Sequence, residues 1–261
     1  MTQLSQYLED LTAEWLRGTN FPTAPISLDI ALSTSDPLDD ASGLSEPSGG
    51  YSRQTITFAA STVSASGVLL ESNINISFPT ATLDWGTITH IAIFSGSDML
   101  FFSALNVPKQ IRTGDDFSLA SGMVQHTLKP QFSHYLGTQI AEWIRGTAMP
   151  SAPSSVQLVL STADIEGDGT GLDEPPNTDG YQRQNITFGS PTSTVGVGTV
   201  LTNDTAVVFG PANTNDWPSV SFGGLMSGSN VLIYGALAVA RTAEVGDGIP
   251  FQIGTVSFTI R

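Results

Sequence analysis

The chain lacks cysteine altogether and has few charged residues for its length of 261. Without cysteine, a disulfide framework, a thiolate nucleophile and a cysteine-based zinc site are all excluded. Charged residues make up only 13% of the chain, about half the share that is usual in globular proteins. Serine, threonine, asparagine and glycine must therefore supply much of the surface, which is common in proteins dominated by strands and turns.

Basic residues and long apolar runs are also scarce. The chain has 9 Lys and Arg against 24 Asp and Glu, with a net charge of −15 and a pI near 4.2. A field of that sign repels phosphates and anionic head groups, so we expect no nucleic-acid partner and no membrane partner. No segment approaches the roughly 18 to 20 apolar residues of a membrane span, and the N-terminal residues carry no secretory signal pattern.

The motifs of common active sites are missing as well. The sequence has no G-x-S-x-G elbow, no phosphate-binding loop and no zinc-like spacing among His90, His126 and His134. Residues 164–169 begin like a calcium loop, but the twelfth position is Pro175 and no flanking helices are predicted. A plain turn and an adventitious or structural calcium site remain the two interpretations. We therefore expect no enzyme activity, no cofactor and no metal, although paired carboxylates of a hydrolase could come from any of the acids.

The chain repeats itself almost from end to end. Three pairs of segments carry the repeat, at shifts that drift from 128 to 130 to 132: residues 14–19 and 142–147, residues 50–54 and 180–184, and residues 84–85 and 216–217. A period near 130 residues is too long for a solenoid, so each copy is expected to be a domain with its own core. The sequence predicts domains 1–130 and 131–261, with the boundary near Pro130.

Each copy reads as a helix followed by short strands. Apolar residues at helical spacing predict helices over residues 4–17 and 133–145, which end at Gly18 and Gly146. Short apolar stretches separated by Gly, Pro and Asp predict the strands, with exposed loops at residues 33–50 and 161–180. The predicted fold is mainly β, with two tandem antiparallel sandwich or barrel-like domains, each preceded by a short amphipathic helix. Each helix must dock on a sheet or on a neighbouring subunit.

Twelve aromatic and polar residues return with their neighbours in both copies, and they are the candidate site residues. One interpretation makes them interface contacts, since Trp, Tyr and Arg are common anchors. The other makes them anchors of the fold, with each scarce Arg satisfying a local carboxylate or carbonyl. The residues are Trp15, Arg17, Tyr51, Arg53, Gln54, Trp85, Trp143, Arg145, Tyr181, Arg183, Gln184 and Trp217.

Taken together, these segments resemble a family of bacteriophage tail-fibre-like or minor virion structural proteins. The resemblance is carried by a helix ending in Trp-Leu-Arg-Gly-Thr, Pro-x-x-Pro, an acidic loop, Gly-Tyr-Ser-Arg-Gln, and a segment that begins Trp-Gly-Thr-Ile-Thr. Copy two departs in the middle, where Phe222–Met226 replaces the strand His90–Phe94, and we expect a different surface role there. The resemblance implies a non-enzymatic component of the virion, made in the host cytoplasm, whose partners are the major capsid protein or other virion proteins and further copies of itself.

Several placements remain open on this evidence. The leading expectation is a capsid cement or decoration protein, because the chain has no coiled-coil heptads and no long repetitive shaft. The alternative is a tail, neck or fibre component. Such a component would also bind host-surface carbohydrate if Trp85 and Trp217 line an open groove. A hydrolase is a further alternative, and it would require Asp84 or Asp216 to face a second carboxylate in a cleft.

Overall fold

The computed structural model of the protein describes residues 3–128 and 132–261, so the predicted boundary at Pro130 lies outside the described residues. Over residues 3–128, the first module has one helix and ten strands. They are β1 (Gln3–Leu4), α1 (Gln6–Leu16), β2 (Leu28–Ser33), β3 (Gln54–Ile56), β4 (Thr62–Ser64), β5 (Gly67–Glu71), β6 (Ile76–Ser77), β7 (Gly86–Ser95), β8 (Asp98–Ile111), β9 (Ser118–Leu119) and β10 (Gln125–Leu128).

The second module repeats this order with one helix, a short 3-10 turn and nine strands. They are α2 (His134–Ile144), β11 (Val156–Ser161), the 3-10 turn Asn177–Asp179, β12 (Gln184–Ile186), β13 (Thr192–Thr194), β14 (Gly198–Thr202), β15 (Val207–Phe209), β16 (Trp217–Ser227), β17 (Asn230–Ala243), β18 (Ile249–Phe251) and β19 (Ser257–Ile260). The mainly β prediction with one helix heading each copy is confirmed.

The two helices begin and end for the same local reasons. The hydroxyls of Ser5 and Ser133 accept hydrogen bonds from the backbone N–H three residues later, as N-caps do. Gly18 and Gly146 follow the last turns with φ of +100° and +98°, a left-handed conformation that favours glycine. The predicted stops are therefore confirmed. Leu4 was predicted as the first helical residue, but it precedes the Ser5 cap and pairs with Phe101 in β1.

In the described part of each module, the strands form three antiparallel sheets. In the first module, a large sheet has the order β1-β8-β7-β2-β3, a small sheet has the order β10-β5-β4, and a ribbon joins β6 to β9. The second module repeats them as β12-β11-β16-β17, β13-β14-β19 and β15-β18. Within the described residues, no strand of one module pairs with a strand of the other.

The central strand of the second large sheet keeps its place although its residues differ between the copies. Ser161 on β11 pairs with Phe222, as Ser33 on β2 pairs with His90. Phe222–Met226 therefore occupies the same place in its sheet as His90–Phe94, and the different surface role expected for this segment stays a prediction. The strand survives the change of residues because its pairing on both sides is made by the backbone.

The hydrophobic core also differs from the expectation of one core per copy. A single connected cluster of buried side chains contains residues of both modules, among them Leu8, Trp15, Trp143 and Leu201. The cause is the position of the helices, which lie between the modules. Each large sheet has a second, smaller cluster on its other face.

The two long loops, residues 33–50 and 161–180, cover these outer faces. The prediction that they are exposed is wrong in part, because some of their side chains are buried. Ala41 and Leu44 pack on the first outer cluster. Ile165, which is buried, belongs to the second, and Leu172 packs against it. The loops therefore protect apolar strand residues from water in addition to connecting strands.

Candidate functional site

The contact between the modules is an exchange of helices. Helix α1 packs on β14 and β19 of the second module as well as on β8 of its own. Helix α2 packs in turn on β5 of the first module and on β17 of its own. The chain is thus arranged like a dimer in which each subunit lends a helix to the other, with both subunits on one polypeptide.

Trp15 and Trp143 lie at this contact and bond across it. The indole Nε1 of Trp15 donates to the carbonyl of Pro150 at 3.0 Å, and that of Trp143 donates to the carbonyl of Pro22 at 3.0 Å. Both rings are 2% exposed, and Phe21 packs edge-on against Trp143 with ring centroids 5.2 Å apart. Because Pro22 and Pro150 are equivalent residues, the two bonds are related by the pseudo-twofold symmetry of the fold.

Arg17 and Arg145 form the next pair of symmetric bonds. Arg17 Nε donates to the carbonyl of Phe188 at 3.1 Å, and Arg145 Nε donates to the carbonyl of Phe58 at 3.2 Å. Each guanidinium also forms a salt bridge with the Glu three residues earlier on its own helix. These arginines therefore satisfy carbonyls of the opposite module at the point where the helix ends.

The Gly-Tyr-x-Arg-Gln segments lie away from the module contact, one in each module. In the first, the Tyr51 hydroxyl accepts from the N–H of Leu32 and donates to Glu46, and Glu46 also forms a salt bridge with Arg53. Burial, the largest cause, raises the pKa of Tyr51 above its ordinary value. The Arg53 guanidinium also stacks on Phe94, 3.8 Å from the ring centroid. The arrangement ties the long loop to the large sheet.

The second module repeats this cluster. The N–H of Leu160 donates to the Tyr181 hydroxyl, and Glu174 forms a salt bridge with Arg183. Gln54 and Gln184 use their amide groups on nearby backbone carbonyls, those of Ser52 and Gln182. The two Gln side chains therefore bond to nearby backbone groups at the start of β3 and of β12.

Trp85 and Trp217 are buried, at 4% and 2% exposure. Each indole donates to a backbone carbonyl of its own module, that of Gly49 or Asp179, and each packs edge-on against the neighbouring Tyr of the preceding cluster. Neither ring lines an open groove, so the interpretation of these two residues as a sugar platform is wrong. Their burial follows from the aromatic packing around them.

The acids named for the hydrolase alternative hold turns. Asp84 accepts hydrogen bonds from the N–H and hydroxyl of Thr113, and these bonds lower the pKa of its carboxyl. Asp216 accepts from the N–H of Val245. In the calcium-like segment, Asp168 accepts from the hydroxyl and N–H of Thr170, and these bonds lower the pKa of Asp168. Over the described parts of the chain, no three His, Asp or Glu side chains are placed to hold a metal ion.

One side of the module contact holds buried acids. Glu9 on α1 is 2% exposed and lies against Thr199 of β14, and Asp39 is 6% exposed and accepts from the N–H of Gly196. Both line a cavity of about 250 Å³ between the modules. Burial raises the pKa of Glu9 to about 8, and the charge of Asp39 adds to the shift.

Comparison with known families identifies the repeated unit. Residues 3–127 and residues 131–259 each match the model of one family, described as podophage GP4 fiber I protein gp80. The chain belongs to the podophage fiber I protein family. Two matches in tandem confirm the duplication and the predicted resemblance to tail-fibre-like phage proteins. Membership of the fiber I family makes the protein a component of the virion. Separately, none of the described helices is long and apolar enough to cross a membrane. A search of curated proteins found no match.

Several residues of the two Tyr clusters and of the module contact were not predicted from the sequence. Glu46 and Glu174 pair with the repeated arginines, and they are themselves repeated at the shift of 128, so a full comparison of the copies would have found them. Glu9 and Asp39 could not be found in that way. Their equivalents in copy two are Gly137 and Gly167, and their proximity depends on the docking of α1.

Proposed function

We propose that this fiber I family protein is a non-enzymatic building block of the fibre apparatus, in which the two modules act as one rigid unit. The observation that carries the proposal is that both modules match the fiber I model over nearly their whole length. The exchange of helices supports it, because a fibre part has to transmit force between its attachment points without coming apart. No comparable observation favours the capsid cement hypothesis.

The absence of enzymatic activity is part of this proposal. It rests on the use of the chemically capable side chains, since the repeated Arg residues bond to carboxylates and carbonyls and the repeated Trp residues are buried. Groups committed in this way to the fold are poor candidates for catalysis. We infer that other virion proteins are the partners, and that further copies of the chain join it in the fibre.

The placement is tested by labelling the intact particle. A short epitope is inserted at Gly96, in the turn between β7 and β8, where nothing lies within 4 Å of an added Cβ. The equivalent turn at Gly228 is equally open and provides a matched second insertion. Gold-labelled antibody should mark the tail fibres of tagged particles and leave untagged particles bare. Label spread over the head would overturn the proposal in favour of capsid decoration.

A further inference from the structure

The two helix contacts are related by pseudo-symmetry, but among the residues that the structure describes, only the contact of α1 of these two contains buried acids. In the contact of α2, Gly137 lies where Glu9 lies in the contact of α1, and an added Cβ on Gly137 would come within 2.9 Å of a Val68 methyl on β5. The position of Val68 in its small sheet corresponds to that of Thr199. At matched places in one chain, the contact of α2 therefore has a glycine next to a valine, and the contact of α1 has a glutamate next to a threonine.

The bonds that help a charged Glu9 come from Thr199, whose side chain and backbone lower the pKa of the carboxyl by less than burial raises it. The hydroxyl of Thr199 lies 3.4 Å from Glu9 Oε2 and is shared with Asp10, whose Oδ1 accepts from it at 2.7 Å. Asp10 accepts from Ser193 as well. The β13–β14 hairpin, residues 192–202, contributes no ionisable side chain. An ionised carboxylate with so few donors is costly to bury.

The loop before β3 adds a second buried carboxylate. Asp39 Oδ2 accepts from the N–H of Gly196 at 2.7 Å, whereas its buried Oδ1 has no hydrogen-bond donor within the described structure. His126 of β10 and Arg261 after β19 are the basic groups that line the same cavity. On the outer side, Asp10, Asp39, Asp40 and Asp98 line a neighbouring cavity and add negative charge.

We propose that Glu9 and Asp39 form a pH-sensitive latch between α1 and the small sheet of the second module. With Glu9 protonated, the helix stays docked. When Glu9 loses its proton, this contact loosens while the contact of α2 does not. The inference rests on the module contact alone, so it stands or falls independently of the place of the protein in the particle.

The direction of the effect follows from the pKa of Glu9, which burial and Asp39 raise from 4.5 to about 8. A raised pKa means that docking binds a proton, so the contact is strongest below about pH 4.5 and weakens as the pH rises toward 8. Above pH 8 the dependence levels off, because Glu9 is ionised in both states. The opening equilibrium of α1 is expected to rise by up to about tenfold per pH unit within this window.

The test is hydrogen exchange of the full-length protein at pH 6, 7, 8 and 9, corrected for the intrinsic exchange rate. Protection of the α1 amides should fall with pH relative to the α2 amides, which serve as the control within the same molecule. Glu9→Gln keeps the shape and removes the charge, so it should abolish the difference. Parallel behaviour of both helices in the natural protein would overturn the proposal, as would an unchanged difference in Glu9→Gln.

A second variant keeps the proposal testable if Glu9→Gln does not fold. Asp39→Asn removes the neighbouring charge that raises the pKa of Glu9, so the midpoint of the α1 transition should move to lower pH. The carboxyl carbon of Glu9, followed by NMR after isotope labelling of glutamate, should titrate with the same midpoint as the exchange. A Glu9 midpoint near 4.5 in the natural protein would contradict the latch.

Discussion

Replacing Trp143 by Ala removes the largest side chain that joins α2 to the first module. Burying a Trp withdraws about 150 to 250 Å² from water, or about 4 to 6 kcal/mol at about 25 cal/mol per Å². Measured Trp-to-Ala changes cost about 3 to 5 kcal/mol, and the lost bond to the Pro22 carbonyl is included in such values. We expect a loss of about 4 kcal/mol, which lowers Tm by about 8 to 16 °C in a chain of this length.

The assay is differential scanning calorimetry, and the number of transitions matters as much as their midpoint. Because the ring lies in a core that both modules share, the two modules should unfold together and Trp143→Ala should lower one common transition. Trp143→Phe keeps most of the ring and loses the N–H, so it should cost only about 1 to 2 kcal/mol. Two separate transitions, of which the substitution moves only one, would refute the shared core.

The remaining predictions concern a buried hydroxyl and the separated modules. Tyr181→Phe leaves the N–H of Leu160 without its acceptor, so thermal unfolding should show a loss of about 1 to 3 kcal/mol, and an unchanged Tm would contradict this bond. Each module expressed alone should dimerise by exchanging helices, as judged by sedimentation equilibrium, because its docking face is otherwise exposed. The first module should form the weaker dimer, since Glu9 would then meet Val68; stable monomers would contradict the exchange.

The helices and their ends could be predicted from the sequence because the signals are local. Ser5, Ser133, Gly18 and Gly146 each act within one turn of chain, through a cap or a left-handed residue. The mainly β fold also followed from the short apolar stretches between turn residues. These local signals do not determine which sheet a helix packs on, because the apolar stripe of α1 fits any apolar sheet face.

The candidate residues were predicted better than their contacts. Repetition identified the Trp and Arg residues of the helix ends, but their acceptors are the backbone carbonyls of Pro22, Pro150, Phe58 and Phe188, which carry no side-chain signature. The burial of Trp85 depends likewise on tertiary packing. Whether the twelve residues anchor the fold or contact other proteins stays a prediction. Substitution of these residues would test it.

The central claim, that the protein is a building block of the fibre apparatus, is tested most directly by counting its copies in purified intact particles. Quantitative mass spectrometry against the major coat protein gives the ratio, and particles stripped of their tails provide the control. We predict a few to a few tens of copies per particle, lost with the tails. Hundreds of copies that remain with the tailless heads would contradict the claim and place the protein on the capsid.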